Sequence, residues 1–475
     1  MGKTNRILVL AALLLAALIT RAQTVSPVDF MRLNPYQMRA NPAAGLPYQS
    51  VMSIAVGNIG LNVQNSTLRY DNLFGFDAQG RPVSVSLTKL ANSLKENNFS
   101  SIDANVELFT LYKALNEGML TINYGVKAQA EAKYNGGLIK LLGYGNGAFV
   151  GEDNPAIVDM NFSTMVYHEL AVGYRCKVTD LLSVGGRTKL LFGLANMKTD
   201  AFRFELYTDP VSYALRMKED VAMRFALPVV YYSEGLGQVM TDVSFGVGDW
   251  FRNPGLGLDL AAEYRISSQL SAVAAVCDLG FIHWDKNSID LKAQMNDAGQ
   301  FYDNGDFLFE GMGIDELQLV ISDDWFRGEF LDTLRRYFQP QFDPLPSYNT
   351  MLNTSLMLRG NFDLDVHNRF SAQVQGCFLH TGFRPAFTAA YCGSFWNNLN
   401  VCVTYTAMPE SYDNIGLGIS AMIETCNIYL ATNNLMGMIK PLNTSAFNAQ
   451  AGVVFNLFVP GKRFVDESSK PSYLK

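Results

Sequence analysis

The sequence predicts an all-β protein, a transmembrane antiparallel β-barrel of about fourteen strands. Three observations predict it. Apolar residues recur at every second position over strand-length runs. The connections between those runs alternate between tight and long. After residue 22, no apolar stretch is long enough for a spanning helix. Period-two alternation sends successive side chains to opposite faces. A tilted spanning strand needs roughly 9 to 11 residues, with one face for lipid and one for a polar interior. With 48% hydrophobic residues and a mean hydropathy of +0.05, the chain is too polar for a helical membrane protein. A barrel accommodates that composition, because half of each strand faces a polar interior, and closure satisfies every backbone group. A net charge of −7 argues against a nucleic-acid partner.

The first element is a signal peptide over residues 1–22. Lys3 and Arg6 supply positive charge, Ile7 to Ile19 form an unbroken apolar run, and Thr20-Arg21-Ala22 places small residues at the cleavage positions. The run is shorter than the roughly 20 residues a spanning helix needs. Cleavage after Ala22 is expected, and no cysteine follows to carry a lipid. The expected destination is the bacterial outer membrane. Residues 23–47 are loop-like, with Asn34-Pro35, Asn41-Pro42 and Pro47 as breakers. They either plug the lumen or hang in the periplasm.

Strands are predicted at 48–57, 101–113, 118–133, 164–178, 182–197, 254–266 and 268–279. Seven more are predicted at 350–362, 368–380, 384–394, 398–408, 413–422, 425–433 and 446–459. The alternation is clearest in 118–133, where Leu120, Ile122, Tyr124 and Val126 oppose Asn123, Lys127 and Gln129. Leu256, Leu258, Leu260, Val401, Val403 and Phe455 are assigned to the lipid face. If both termini are periplasmic, every second connection should be tight. Those connections are 114–117, 179–181, Ser267, 363–367, 395–397 and 423–424. The others include 58–100, 134–163, 198–253, 280–349 and 434–445, with short exceptions at 381–383 and 409–412. The barrel therefore occupies 48–459, followed by a periplasmic tail at 460–475. The loops 198–253 and 280–349 are extracellular. Within the second, 312–338 reads as a helix with Trp325, Phe326, Phe330, Leu334 and Phe338 along one face, ended by Pro340. Residues 136–142 read as a second short helix. The long loop is either a lid or a stabilising cap.

No catalytic constellation is present in the sequence. There is no GxSxG, HExxH or P-loop. His168 and Glu169 are adjacent on a strand and so point to opposite faces. No enzyme activity, cofactor or metal site is expected. The six cysteines (Cys176, Cys277, Cys377, Cys392, Cys402 and Cys426) have no metal-binding spacing. They are expected to be packed free thiols, although Cys377, Cys392 and Cys402 fall on successive strands where one disulfide could form. The inward polar candidates are Lys127, Glu131, Glu169, Arg175, Arg187, Lys189, Asp259, Glu263, Arg265 and Arg359. Mixed charges of this kind either pair across the lumen or line a polar pathway.

Just ahead of the first strand, Ala40-Asn41-Pro42-Ala43-Ala44-Gly45 resembles the NPA segment of FadL-like fatty-acid channels and the related PorV proteins. The stretches 255–266, 278–287 and 431–443 and the closing strand resemble a FadL-like outer-membrane family of unknown function. The resemblance implies a fourteen-stranded barrel in which Asn41, Pro42 and Ala43 belong to an N-terminal hatch. It also implies passive transport of a hydrophobic or amphipathic small molecule. The PorV side implies an alternative, a scaffold whose extracellular loops bind partner proteins. The bilayer is the one partner common to both. The insert at 280–349 departs from the family pattern, and no fatty-acid-binding residue carries over.

Overall fold

The computed structural model describes residues 25–46, 50–67, 69–76, 82–116, 118–211, 214–233, 239–243, 247–294, 302–306, 341–396, 398–409, 411–439, 444 and 446–458. The signal peptide (1–22), the helix expected at 312–338 and the tail at 460–475 lie outside them. Among the described residues, fourteen antiparallel strands close into one barrel. In chain order they are β1 (Ser50–Asn65), β2 (Asn98–Ala114), β3 (Gly118–Tyr134), β4 (Ala156–Lys177), β5 (Leu182–Thr208), β6 (Pro254–Arg265) and β7 (Leu270–Trp284). The ring continues with β8 (Thr354–Asp363), β9 (Asn368–Leu379), β10 (Gly382–Phe395), β11 (Leu399–Met408), β12 (Ser411–Ile423), β13 (Cys426–Thr432) and β14 (Ala446–Phe458). Each pairs with its chain neighbours, and β1 joins β14 through pairs such as Ile54 with Phe455. Closure leaves no edge strand for lipid to meet with unpaired amides.

The wall has two chemistries. Val403, Leu256, Leu260 and Phe455 are exposed, as are Ile419, Leu430 and many other large apolar side chains. They form the outer belt, and the free energy of their contact with hydrocarbon holds the barrel in a bilayer. The intervening positions, including Lys127, Glu169, Lys189, Asp259 and Gln373, are buried inside. This is a transmembrane β-barrel of the outer-membrane type.

The strands depart from simple alternation where bulges intervene. β1 runs on to Asn65 rather than stopping near residue 57. Gly57 takes φ 66° within a register shift between Val56 and Ile59, and the shifted phase hides the continuation. β5 runs to Thr208 and pairs with Ala214–Ala226, so much of the 198–253 loop is a hairpin standing above the barrel. Ser288–Gln294 extends that sheet by pairing with Ala214–Ala226. The short helix Gly137–Tyr144 forms as expected from the sequence.

Two features were not expected. Cys392 and Cys402 form a disulfide, which corrects the reading of all six cysteines as free thiols. They stand directly opposite in the β10–β11 register, both on the inner face, a pairing that strand order alone does not specify. The remaining described cysteines are free. Outside the barrel, the turn Val247–Phe251 folds back on the wall. Trp250 stacks on His168 at 4.9 Å and donates from its indole N–H to the Tyr124 hydroxyl at 2.8 Å. His168 is thereby buried on the outer face while Glu169 points inward.

Candidate functional site: a seated segment in a charged lumen

Residues 25–46 lie against the inner wall and join no strand. Two short 3-10 turns shape them, each begun by an Asx or serine cap and a proline. Ser26 caps Pro27–Phe30 and Asn34 caps Pro35–Arg39. Proline fixes φ and removes a donor, which suits a first helical position and disfavours a ladder. The apolar side of the segment packs on the wall. Val28, Phe30, Met31 and Tyr36 cluster with Cys402, Tyr429 and Ala431, and Met38 and Ala44 cluster with Ala55, Tyr112 and Val454.

Backbone carbonyls left free by this irregular path must find partners. Three wall arginines supply them. Arg359 donates to the carbonyl of Asp29 at 2.6 Å, Arg187 to that of Arg39 at 2.7 Å, and Arg175 to that of Ala43 at 2.9 Å. Hydrogen bonds to charged groups contribute about 1.5–3 kcal/mol each. Ser26 adds a bond from its hydroxyl to Gln450 at 2.5 Å. Burial pushes the Asp29 carboxyl above its ordinary range, and the nearby Arg359 opposes that shift.

The Asn-Pro-Ala turn sits close against the wall. The Asn41 side-chain carbonyl accepts from the Ala43 amide at 3.1 Å, and its amide donates to Glu263 at 3.2 Å. Ala43 is buried against Ala261, Val273, Ala275 and Met357. A Cβ on Gly185 would stand 2.1 Å from the Pro42 carbonyl oxygen, so only glycine lets the turn seat there. We expect Gly185→Val to lift the segment while the barrel still assembles. Hydrogen exchange should quicken over 25–46 and stay unchanged over β1 to β14; unchanged exchange over 25–46 would count against this seat.

Beside the segment lies a compact charge cluster. Lys127 reaches Glu169 at 3.0 Å and Asp278 at 3.2 Å. Lys189 reaches Asp278 at 2.5 Å and Asp259 at 2.7 Å. Arg187 meets Asp259 at 2.6 Å. Three cations therefore face three anions, all buried. The cluster borders a polar cavity of about 100 Å³ that also touches Tyr36, Arg39 and Asp103.

Of the inward candidates, Lys127, Glu169, Arg187, Lys189 and Asp259 meet in this cluster. Arg175, Glu263 and Arg359 bind the segment, whereas Arg265 lies at the rim of tight turns and donates to the Asp180 carbonyl. The sequence reading missed Asp278. Strict alternation from Val273 and Ala275 would aim it at lipid, but a bulge opposite Leu258 and Leu260 and a φ of 57° turn it inward. Aspartate tolerates that left-handed conformation better than most residues, and bulges re-aim side chains. The signal available was a lone acid in phase with an apolar outer row.

Glu131 belongs to a separate structure at the mouth that carries the long connections. The tip of the β9–β10 hairpin crosses to the far wall. Glu131 accepts from the His380 amide at 2.8 Å and from the Thr381 hydroxyl at 3.0 Å. The His380 ring bonds the Thr199 carbonyl at 2.8 Å, and the Arg384 guanidinium lies 3.7 Å from the centre of the Phe99 ring. Glu131→Ala should release this tip, seen as faster amide exchange at 379–384. No change there would mean that the other two contacts suffice.

The fold and this interior define a membrane β-barrel with residues 25–46 resting against its inner wall. Residues 42–433 match the model of a family of unknown function, DUF5723, and the chain belongs to that family. No curated protein matches it. Among solved structures, the Pseudomonas putida toluene transporter TodX is similar at 9% identity, with a TM-score of 0.39, over 89% of this chain and 92% of that one. A Pseudomonas aeruginosa FadL homologue gives 9% identity and a TM-score of 0.41, over 89% and 93%. The translocator domain of autotransporter NalP from Neisseria meningitidis gives 8% identity and a TM-score of 0.30, over 86% and 89%. Transporters and a translocator domain alike are matched, and the likeness is one of barrel architecture alone.

Proposed function

We propose that this barrel is a passive outer-membrane channel, held closed, for a small amphipathic or hydrophobic molecule. The observation that carries this reading is the manner in which residues 25–46 are held. They share no ladder with the wall and are retained by side-chain bonds to carbonyls and by apolar packing, so they can leave without opening the barrel. The paired charges keep the cavity wall polar, and such a wall favours a solute with a polar head over a pure hydrocarbon, which would cover polar groups without bonding them. The roles of Asn41, Pro42 and Ala43 as the hatch, and of the charge cluster as part of the path, belong to this proposal.

A second reading is a sealed scaffold whose extracellular loops bind partner proteins. The small size of the internal cavity, about 100 Å³, favours it. Uptake of a fluorescent fatty acid and of a small polar dye into proteoliposomes separates the two. The channel reading expects little flux through the whole protein and clear flux through a variant lacking residues 25–46. Equal, background-level flux in both would refute it and leave the scaffold.

A further inference from the structure

The outer wall is not evenly convex. Across β4 to β10 the bilayer-facing surface sinks into an apolar concavity of about 930 Å³. That volume lies within the roughly 300–1,000 Å³ range of small-molecule sites. Its floor is made of short side chains on the outward row, chiefly Gly186, Ala262, Ala274 and Gly376, while Leu358 and Phe383 stand at its flanks. Ala262 pairs with Ala274 and Ala274 with Leu358, so these residues adjoin on one face. The hollow is continuous with the exposed apolar belt, and every strand beneath it is fully paired with its neighbours.

We propose that this concavity is a binding site for one acyl chain of a membrane lipid. A hollow in a belt that faces hydrocarbon loses dispersion contacts unless something fills it, and the medium that touches it is lipid. The lining presents almost wholly carbon, which offers an acyl chain contact area and offers a headgroup nothing. A second copy of this chain does not fit. A twofold contact sets the same patch against itself, and two hollows face to face would enclose a void.

The position of the site gives it a consequence inside. The inner row one residue away is equally small. Gly185 pairs with Ala261, and Ala261 with Ala275. Against that inner row rest Pro42 and Ala43 of the seated turn. A single backbone layer with short side chains on both faces separates the acyl-chain site from the Asn-Pro-Ala turn. The site itself does not depend on the channel reading.

The test uses the whole protein in phospholipid vesicles containing a small fraction of phospholipid with a photoactivatable diazirine in its acyl chain. After irradiation, adducts are mapped by peptide mass spectrometry. We expect several-fold enrichment, per unit of exposed area, on peptides covering 256–264, 270–279 and 354–363 over those carrying Ile419 and Ile428 on the far wall. The filled variant Ala262→Phe/Ala274→Phe should lose the enrichment, whereas Ile419→Phe should keep it, with the same heat-modifiable migration in both. If the double variant fails to assemble, Ala274→Phe alone serves. Adducts spread around the belt in proportion to exposure would indicate bulk lipid contact only and overturn the proposal. Enrichment that survives filling of the hollow would do the same.

Discussion

Replacing Asp278 with alanine should destabilise the barrel by about 3–5 kcal/mol, the cost of breaking a buried ion pair from one side. Asp278 joins Lys127 to Lys189, and both lysines are buried. Its removal leaves three buried cations facing two anions. The loss should appear as a lower urea midpoint for the folded barrel. The double variant Asp278→Ala/Lys189→Met should recover part of it by restoring the balance of charge. If Asp278→Ala unfolds at the wild-type midpoint, the cluster contributes nothing net and its pairing is incidental. The same substitution removes an acceptor near the seated segment, so exchange over 25–46 is a useful second reading.

The second large effect concerns the wall. Val374 is exposed on the outer face of β9, while its neighbour Gln375 lines the internal cavity. An arginine on the lipid face near mid-bilayer costs roughly 2–4 kcal/mol. Val374→Arg should therefore sharply reduce the assembled, heat-modifiable form, and Gln375→Arg should be far better tolerated. Equal yields from the two would contradict the assignment of faces. The comparison is sensitive because the two positions share a strand, a height and the same neighbours in the ladder.

The strand count was legible because alternation reports directly on two solvents. Leu256, Leu258 and Leu260 face one, and Gly257 and Asp259 face the other. A strand between lipid and a polar lumen can be read residue by residue. The continuation of β1 past Gly57 and the inward turn of Asp278 were not legible, because a bulge changes phase without changing composition. Nor was the Cys392–Cys402 bond, since strand order does not set register to the residue. The candidate site was half legible. Alternation identified Arg175, Arg187 and Arg359 as inward, but their partners include main-chain carbonyls of residues 43, 39 and 29. Carbonyls carry no sequence signal. The crossing of the mouth by His380 and Thr381 was hidden for a similar reason: a short hairpin looks the same whether it stands upright or leans inward.

The contacts of residues 25–46 also set a chronology. Ser26 bonds Gln450, a partner 424 residues away, and Asp29 waits for Arg359, 330 residues away. Gln450 is on the last strand, which itself pairs with the first. Residues 26–29 therefore find these partners only once the late strands are in place, whereas residues 38–44 meet β1, β2, β4 and β5 earlier, and loop closure over such distances must be achieved by the strands first. Every unfinished barrel lacks the Ser26–Gln450 and Asp29–Arg359 bonds. Protection of residues 26–29 from a protease is accordingly a record of a closed ring, and it marks a late event in assembly rather than an early one.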